Sequence, residues 1–446
     1  MRPDAPHILL VNPWIHDFAA YDFWAKPLGL LSLTAMIRSH GFQTTYIDCL
    51  DRFHPKAPFS DPWAHYGRGP YLKTRLPKPP GLEDVPKHFS RYGIKKEWFK
   101  EDLDAINPPD LILVTSLMTY WYPGVFETID CLKKKFPDTP LILGGIFATL
   151  CHDFAVKHSG ADMVFSGPAE KEIIKLVSEQ TGFAPLPAFD VDNPDDWPYP
   201  AFDLQRKMGY IPLLTSRGCP FSCSYCASGF LNPDHWFRHP DAVADEICFW
   251  EKKWGIKDFA FYDDALLAGH ESRAEPLLEK IIKKNLNLRF HTPNAIHVRE
   301  ISEKMAVLLF KSGFKSIRIG LETADFQQRG EMDRKVTENE FLSAISSLKK
   351  AGFKKNQVGA YLLAGLPEMS MDAFVWSVEM AEKAGLKPVP AYYSPIPHTR
   401  MWEKAAATSR YDIESDPLFT NNAIFPCAPQ DMSWDDIHRM KAVSRR

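Results

Sequence analysis

The segment Ser216-Arg217-Gly218-Cys219-Pro220-Phe221-Ser222-Cys223-Ser224-Tyr225-Cys226 offers three thiols in CxxxCxxC spacing and no fourth. A closed structural zinc site takes four ligands. A cubane iron–sulfur cluster held by Cys219, Cys223 and Cys226 instead leaves one iron open to an outside molecule, which turns the centre into a reactive one. Two other readings of the same loop are a zinc knuckle that borrows a remote ligand and a disulfide-bearing loop. Acidic groups recur downstream at Asp263, Asp264, Glu322 and Glu368, each just after a short apolar run.

Those runs define the elements that must hold the site. Beyond Met208, strands are expected near 211–214, 259–262, 288–290, 316–319, 359–363 and 389–394, with amphipathic helices between them around 242–254, 271–284, 302–311, 338–350 and 371–383. Six βα units fit a partial (β/α)6 barrel of the TIM type, whose chemistry belongs at the carboxyl ends of the strands. The cysteine loop follows the first strand, as that rule requires. From His7 to about Glu179 a second alternation runs through Ile8-Leu9-Leu10-Val11, a helix over 30–40, Thr44 to Asp48, Leu111 to Thr115, a helix over 125–135, Leu141-Ile142-Leu143, a helix around 147–158 and Met163-Val164-Phe165. Parallel strands with crossover helices give a doubly wound, Rossmann-like α/β sheet that takes ligands at its carboxyl edge. The expected organisation is thus a Rossmann-like domain over 1–180, a proline-rich linker over 181–208, a barrel over 209–400 and a C-terminal tail over 401–446. An insertion over 51–109 is rich in proline and aromatics, which argues for an ordered cap or partner surface.

Composition bounds the function. The 446 residues can bury the cores of two or three domains, and 45% apolar content is ordinary for globular proteins. A formal charge of −3, from 53 basic and 56 acidic residues, argues against a dedicated nucleic-acid surface. The apolar run after Met1-Arg2-Pro3-Asp4-Ala5-Pro6 is shorter than a signal-peptide core or a membrane span, so a cytoplasmic protein is expected. Cys49, Cys131, Cys151, Cys248 and Cys427 lack disulfide-like spacing, which suits a reducing compartment. They read as buried thiols, with a late ligand role for Cys427 as the alternative.

The cysteine loop, with aromatic Tyr225 before the last cysteine, resembles the radical SAM superfamily signature CxxxCxΦC. That resemblance implies a 4Fe-4S cluster whose open iron chelates the methionine part of S-adenosylmethionine, and one-electron cleavage to a 5′-deoxyadenosyl radical. It implies further that Asp263 or Asp264 receives the methionine ammonium, a charge-assisted contact, with N-capping of the next helix as the alternative. Gly320-Leu321-Glu322-Thr323 is similar to the element whose Glu lies beside S-adenosylmethionine. Ala364-Gly365-Leu366-Pro367-Glu368 matches the adenine element in Gly365 and Glu368, with Tyr361 replacing its first glycine. Ser394-Pro395-Ile396-Pro397-His398-Thr399 resembles a Pro-x-Pro-Gly-Thr segment with His398 in place of glycine.

The N-terminal half resembles the cobalamin-binding domain that precedes such barrels in one large subclass. The matching positions are Asn12-Pro13-Trp14, Pro27-Leu28-Gly29-Leu30, Thr115-Ser116, Gly144-Gly145 and Ser166-Gly167-Pro168-Ala169-Glu170. Asn12, Ser116, Gly144 and Gly145 are the expected cofactor contacts, and Met118 to Pro123 an aromatic wall or core packing. The Asp-x-His-x-x-Gly motif that supplies a cobalt ligand is missing, and His16 does not replace it. A degenerate domain without cobalamin is the alternative. Taken together, the resemblance implies a cobalamin-dependent methyltransferase of an unactivated carbon in a small molecule or lipid, reduced by a flavodoxin or ferredoxin. The alternatives are a cyclase or rearrangement enzyme without methyl transfer, and a non-catalytic accessory protein. His235, His239, His291 and His297 read individually as packed or surface residues.

Overall fold

The structure, a computed structural model, describes residues 5–333, 336–430 and 432–443, and the chain divides into two compact units, Met1–Gly209 and Tyr210–Arg446. In the first unit the strands are β1 (His7–Asn12), β2 (Ile15–Asp17), β3 (Gln43–Asp48), β4 (Lys73–Arg75), β5 (Ser90–Tyr92), β6 (Leu111–Val114), β7 (Leu141–Leu143) and β8 (Met163–Val164). Five of them form a parallel sheet in the order β3-β1-β6-β7-β8. Alternation within each strand explains why the sheet is covered twice. Leu9, Val11, Ile112, Val114, Leu141 and Leu143 face one core, shared with Val125, Ile129 and Leu132 of the helix Tyr122–Lys135. Ile8, Leu10, Leu111, Leu113 and Ile142 face the other, shared with the helices Leu28–Ser39 and Ile173–Thr181. Each fully buried aliphatic side chain there contributes about 1.5–3 kcal/mol of burial free energy. The chain order reverses between β1 and β6, so the switch point lies at Asn12 and Thr115-Ser116.

Three details depart from the sequence reading. The helix expected around 147–158 is two, Ile146–Leu150 and His152–His158, broken at Cys151. The insertion contributes β4 and β5, which join β2 in an antiparallel sheet ordered β2-β5-β4, and the helix Lys96–Asp104. Glu127 pins that sheet to the helix Tyr122–Lys135, accepting from His16 Nε2 at 2.9 Å, Arg91 Nη1 at 2.9 Å and Lys96 Nζ at 2.9 Å. Burial alone would raise this carboxyl, but those donors and the Arg91 charge hold it far below the usual carboxylate range. The proline-rich stretch lies on the first unit, with backbone bonds Leu186 N to His40 O and Ala201 N to Leu31 O.

The second unit has a six-stranded parallel sheet ordered β16-β15-β14-β13-β12-β9. Its members are β9 (Ile211–Leu213), β12 (Asp258–Phe261), β13 (Arg289–His291), β14 (Phe314–Glu322), β15 (Val358–Ala364) and β16 (Lys387–Tyr392); β10 (Ser216–Arg217) and β11 (Trp236–Phe237) form a separate pair. The last barrel strand begins two residues earlier than expected. Phe259, Phe261, Phe290 and Phe314 interlock on the outer face of the strands, with the Phe261 and Phe314 rings stacked at 5.7 Å. The last segment is folded onto this unit: Ile437 and Met440 of the helix Trp434–Val443 are buried, and that helix packs on the helix Met371–Lys383.

Candidate active site

The cysteine loop leaves the carboxyl end of β9. Cys223 is buried, Cys219 half-buried and Cys226 exposed, and none of the eight cysteines is in a disulfide. The loop is fixed from several directions by its backbone. Ser224 N donates to Met332 O at 2.9 Å, Met401 N donates to Ser224 O at 2.8 Å, and Arg400 donates to the Ser222 carbonyl. Ser228 N donates to Cys226 Sγ at 3.4 Å, and His297 Nε2 lies 3.9 Å from Cys219 Sγ with its ring 4.2 Å from that of Phe221.

Among the described residues no three His, Cys, Asp or Glu side chains converge on one point where a single ion would sit. A mononuclear tetrahedral thiolate site would need its sulfurs about 3.8 Å apart, given Zn–S bonds near 2.3 Å. A cubane asks instead for thiolates distributed over separate irons. The three cysteines lie on one loop that its backbone hydrogen bonds pin, and they are the candidate thiolates for such a cluster.

The acidic residues divide by environment. Asp263 is buried and accepts from Thr215 Oγ1 at 2.6 Å, Ser216 Oγ at 2.6 Å and Thr215 N at 3.1 Å, so it braces the start of the cysteine loop. Burial pushes its pKa up in spite of those donors. Asp264 accepts from Ser228 Oγ at 2.7 Å, just past the third cysteine. Glu322 ends β14, is 8% exposed, and holds φ at 60°, a left-handed value uncommon for any residue but glycine or Asn. Tyr225 has a buried hydroxyl without a hydrogen-bond partner among the described residues, and its pKa is raised first by burial and then by the Glu322 charge. Glu368 also holds a left-handed φ, 61°, but it is exposed and pairs with Lys404 at 2.5 Å. At Gly365 a Cβ would meet the Phe425 ring at 3.0 Å, so the need for glycine there comes from the chain's own aromatic ring. His398, at φ 65°, stacks on Phe230 with ring centroids 4.0 Å apart; the positive φ explains why the motif it resembles has glycine at this position.

Several residues of this neighbourhood escaped the sequence reading. Arg329, 1% exposed, donates Nη1 to Leu321 O at 2.6 Å and Nη2 to Gly320 O at 2.9 Å, and pairs with Asp333 at 3.2 Å, fixing the turn that carries Glu322. Arg400 is another, and His297, read from the sequence as a packed or surface residue, is buried beside Cys219. Cys427 has the setting of a buried thiol: it is 2% exposed, its Sγ is 3.7 Å from Ala405 O, and burial pushes its pKa up to about 11. His291, Ser316 and Asp258 form a chain of contacts at 2.8 Å and 3.0 Å, yet His291 is fully buried, so this Ser-His-Asp set ties three strands together.

The first unit's carboxyl edge is built differently. Asn12 Nδ2 donates to Asp48 Oδ1 at 2.7 Å, and Ser116 Oγ donates to Gly144 O at 2.7 Å while accepting from Ala148 N. Gly145, at φ 98°, sits where a Cβ would meet Ser116 O at 2.3 Å; its space belongs to the protein's own backbone, contrary to the expectation that it opens room for a ligand. At Gly144 a Cβ would meet only Phe165 O, at 4.0 Å. Leu117, Met118 and Ile146 are exposed beside it, at 42%, 42% and 37%. Of the two readings of the Met118 to Pro123 aromatics, core packing is the one seen: Tyr120 is buried, Trp121 Nε1 donates to Asp17 at 2.7 Å, and Tyr122 stacks among Phe126, Phe147 and Phe154. His16 is committed to Glu127.

This arrangement, a doubly wound α/β unit followed by a six-stranded partial barrel with three cysteines after its first strand, has counterparts among solved structures. The radical S-adenosylmethionine methyltransferase TsrM from Kitasatospora setae, solved with its tryptophan substrate and a SAM analogue, matches with a TM-score of 0.66 and 17% identity over 91% of this chain and 78% of that one. The cobalamin-dependent radical enzyme OxsB matches with a TM-score of 0.60 and 15% identity, over 94% of this chain and 57% of that one. Residues 213–381 match the Radical SAM superfamily model. The part of the chain that carries the cysteine loop and the strands β12 to β15 is therefore similar to that superfamily. An uncharacterized methyltransferase of Pyrococcus horikoshii is 24% identical over 331 residues, 68% of this chain and 70% of that protein. An anaerobic magnesium-protoporphyrin IX monomethyl ester cyclase of Rubrivivax gelatinosus is 24% identical over 320 residues, 65% of this chain and 56% of that protein, so the chain spans little more than half of the cyclase. Among the described residues no helix is long and apolar enough to cross a membrane.

Proposed function

We propose that the protein is a cobalamin-dependent radical SAM methyltransferase acting on a carbon of a small molecule. The observation that carries the cobalamin half is the open surface at Gly144, flanked by exposed Leu117, Met118 and Ile146 at the switch point of a doubly wound sheet. A flat, largely apolar macrocycle is the ligand that such a surface fits, with Asn12 and Ser116 as polar neighbours. Gly145 keeps the strand end in shape for it. His16 is committed to Glu127 and would not serve as a cobalt ligand.

When bound, the cluster and S-adenosylmethionine supply a 5′-deoxyadenosyl radical for hydrogen abstraction, and methylcobalamin supplies the methyl group. In the barrel, Cys219, Cys223 and Cys226 hold the cluster. Asp264 is assigned to the methionine ammonium, because Asp263 spends its oxygens on Thr215 and Ser216. Tyr225 and Glu322 are assigned to the nucleoside, and Gly365 to the strand end that Phe425 packs against. Glu368 is assigned to the surface pair with Lys404, outside the cofactor contacts. Flavodoxin or ferredoxin supplies the electron.

With methyl-labelled S-adenosylmethionine and substrate, methyl transfer yields labelled product together with both S-adenosylhomocysteine and 5′-deoxyadenosine. A cyclase, the reading that the Rubrivivax relative favours, yields deoxyadenosine without S-adenosylhomocysteine and an unlabelled product. The second pattern rules out methyl transfer and leaves the radical chemistry in place.

A further inference from the structure

The inner face of the barrel holds a cation that the cofactor site leaves unused. Along β14 the residues alternate: Ile317, Ile319 and Leu321 are fully buried on the outer face, while Ser316, Arg318 and Gly320 on the other face are half-buried. Arg318 stands opposite Gly359 on β15, and Gly320 opposite Tyr361. A Cβ at Gly359 would meet Arg318 Nη1 at 3.0 Å and Cδ at 3.1 Å, so the missing side chain gives the guanidinium its place. Tyr361 donates its hydroxyl to Pro293 O at 2.7 Å, and the Arg318 guanidinium near it offsets part of the rise that burial imposes on its pKa. Arg318 Nη1 also donates to Ile317 O at 3.1 Å.

Among the described residues Arg318 has no carboxylate partner. Asp258, two strands away on β12, is committed to Arg289 and His291, and Glu322, whose Oε1 lies 2.6 Å from where a Cβ on Gly320 would sit, makes no ion pair with Arg318 among the described residues. A guanidinium has five N–H donors in a planar fork, and the contacts to Ile317 and Tyr361 leave part of that fork open. Holding such a cation half out of water without a counter-ion costs free energy that an anion would recover. Along the backbone Arg318 lies four residues before Glu322, roughly 12 Å deeper in the strand, although the Glu322 carboxylate reaches back over Gly320.

We propose that Arg318, with the Tyr361 hydroxyl, is the anchor for a carboxylate of the substrate, so that the substrate is a small carboxylic acid bound inside the barrel. One cation and one hydroxyl suit a monoanion; a phosphate dianion would call for more donors. This rests on the proposed function, since it takes the barrel interior as the place where substrate meets the radical. The methionine carboxylate of S-adenosylmethionine is the other source of the same chemistry, and the test separates the two.

The probes are benzoate, its uncharged analogue benzamide, and S-adenosylmethionine, each added to the anaerobically reconstituted full chain. Ligand-observed NMR should show benzoate, but not benzamide, contacting the wild-type protein. Arg318→Gln should weaken benzoate by about tenfold or more, Arg318→Lys should restore part of the loss, and S-adenosylmethionine affinity by equilibrium dialysis should stay within about twofold. Should Arg318→Gln fail to fold, Tyr361→Phe must still weaken benzoate. Benzoate binding that is indifferent to these variants overturns the proposal. So does loss of S-adenosylmethionine affinity in Arg318→Gln, which would give the carboxylate to the cofactor. The benzoate readout needs no turnover, so failure of the methyltransferase reading shows up separately, in the label and nucleoside products.

Discussion

The carboxyl edges of the two parallel sheets present ligands with opposite kinds of surface. In the first unit the edge is closed by its own backbone, with Gly145 against Ser116, and offers apolar side chains at Leu117, Met118 and Ile146. The left-handed residues other than glycine in its connections are Trp24, His65 and Tyr66, at φ 69°, 50° and 61°, and the Trp24 ring is buried in the protein itself. In the barrel three strand-end loops hold such residues, at Glu322, Glu368 and His398. Such conformations persist only where neighbours over-determine them, and Arg329, with two hydrogen bonds to the Gly320 and Leu321 carbonyls, is the neighbour that does so for Glu322. Recognition in the first unit thus rests on shape and apolar area, and in the barrel on polar groups held in strained positions. The first can be abolished by filling space, the second by releasing strain.

The largest effect tests the barrel's fixed centre. Cys223→Ala should lose iron, sulfide and 5′-deoxyadenosine formation together, because a loop with two thiolates cannot hold the cubane. Iron and sulfide analysis after anaerobic reconstitution, about four of each per wild-type chain, provides the measure. Full cluster content in the variant would remove this loop from the active site.

Next in size is the contrast between two adjacent glycines. Gly145→Ala drives a methyl group into the Ser116 carbonyl at a positive φ and should cost about 2–4 kcal/mol, read as a lower urea midpoint. Gly144→Leu points into open space at an ordinary φ and should change stability by less than about 1 kcal/mol while abolishing hydroxocobalamin binding in the visible spectrum. If Gly144→Leu still takes up cobalamin, the platform is not the corrin site, and the first unit is better read as a scaffold.

The same pair marks what a sequence can and cannot disclose. Gly144-Gly145 after β7 is legible as a strand end needing small residues, but residue type alone does not say what fills the vacated space. The CxxxCxxC loop, the alternation of strands and helices and the strand-end acids are local patterns, and they lie where periodicity and spacing put them. The groups that hold the loop are not local: Arg400 reaches Ser222 across 178 positions, and His297 reaches Cys219 across 78. The division of labour between Asp263 and Asp264 is equally invisible, since both follow the same strand and only the hydroxyls of Thr215, Ser216 and Ser228 distinguish them. For the aromatics of Met118 to Pro123 the sequence left a wall and core packing equally open, and Tyr120 and Tyr122 pack into the core.

The smallest effect probes the strain itself. Glu368 and Glu322 hold nearly the same φ, 61° and 60°, but Glu368 is exposed and Glu322 buried beside Tyr225. Replacing Glu368 with glycine removes a left-handed penalty of about 1 kcal/mol or more and incurs about 0.5–1 kcal/mol of glycine's backbone entropy. Its ion pair with Lys404 is solvent-exposed, and such pairs contribute little. Stability of Glu368→Gly should therefore hold or rise slightly, with S-adenosylmethionine affinity unchanged. Glu322→Gly gains the same relief but gives up the carboxylate, so its urea midpoint should stay near wild type while S-adenosylmethionine binding falls by about tenfold or more. Lys315→Gly, at an exposed position on the same strand with an ordinary φ, supplies the reference and should lose about 1 kcal/mol. A Glu368→Gly midpoint as low as that of Lys315→Gly would mean that the left-handed residues carry no strain, and the contrast between the two edges would reduce to polarity alone.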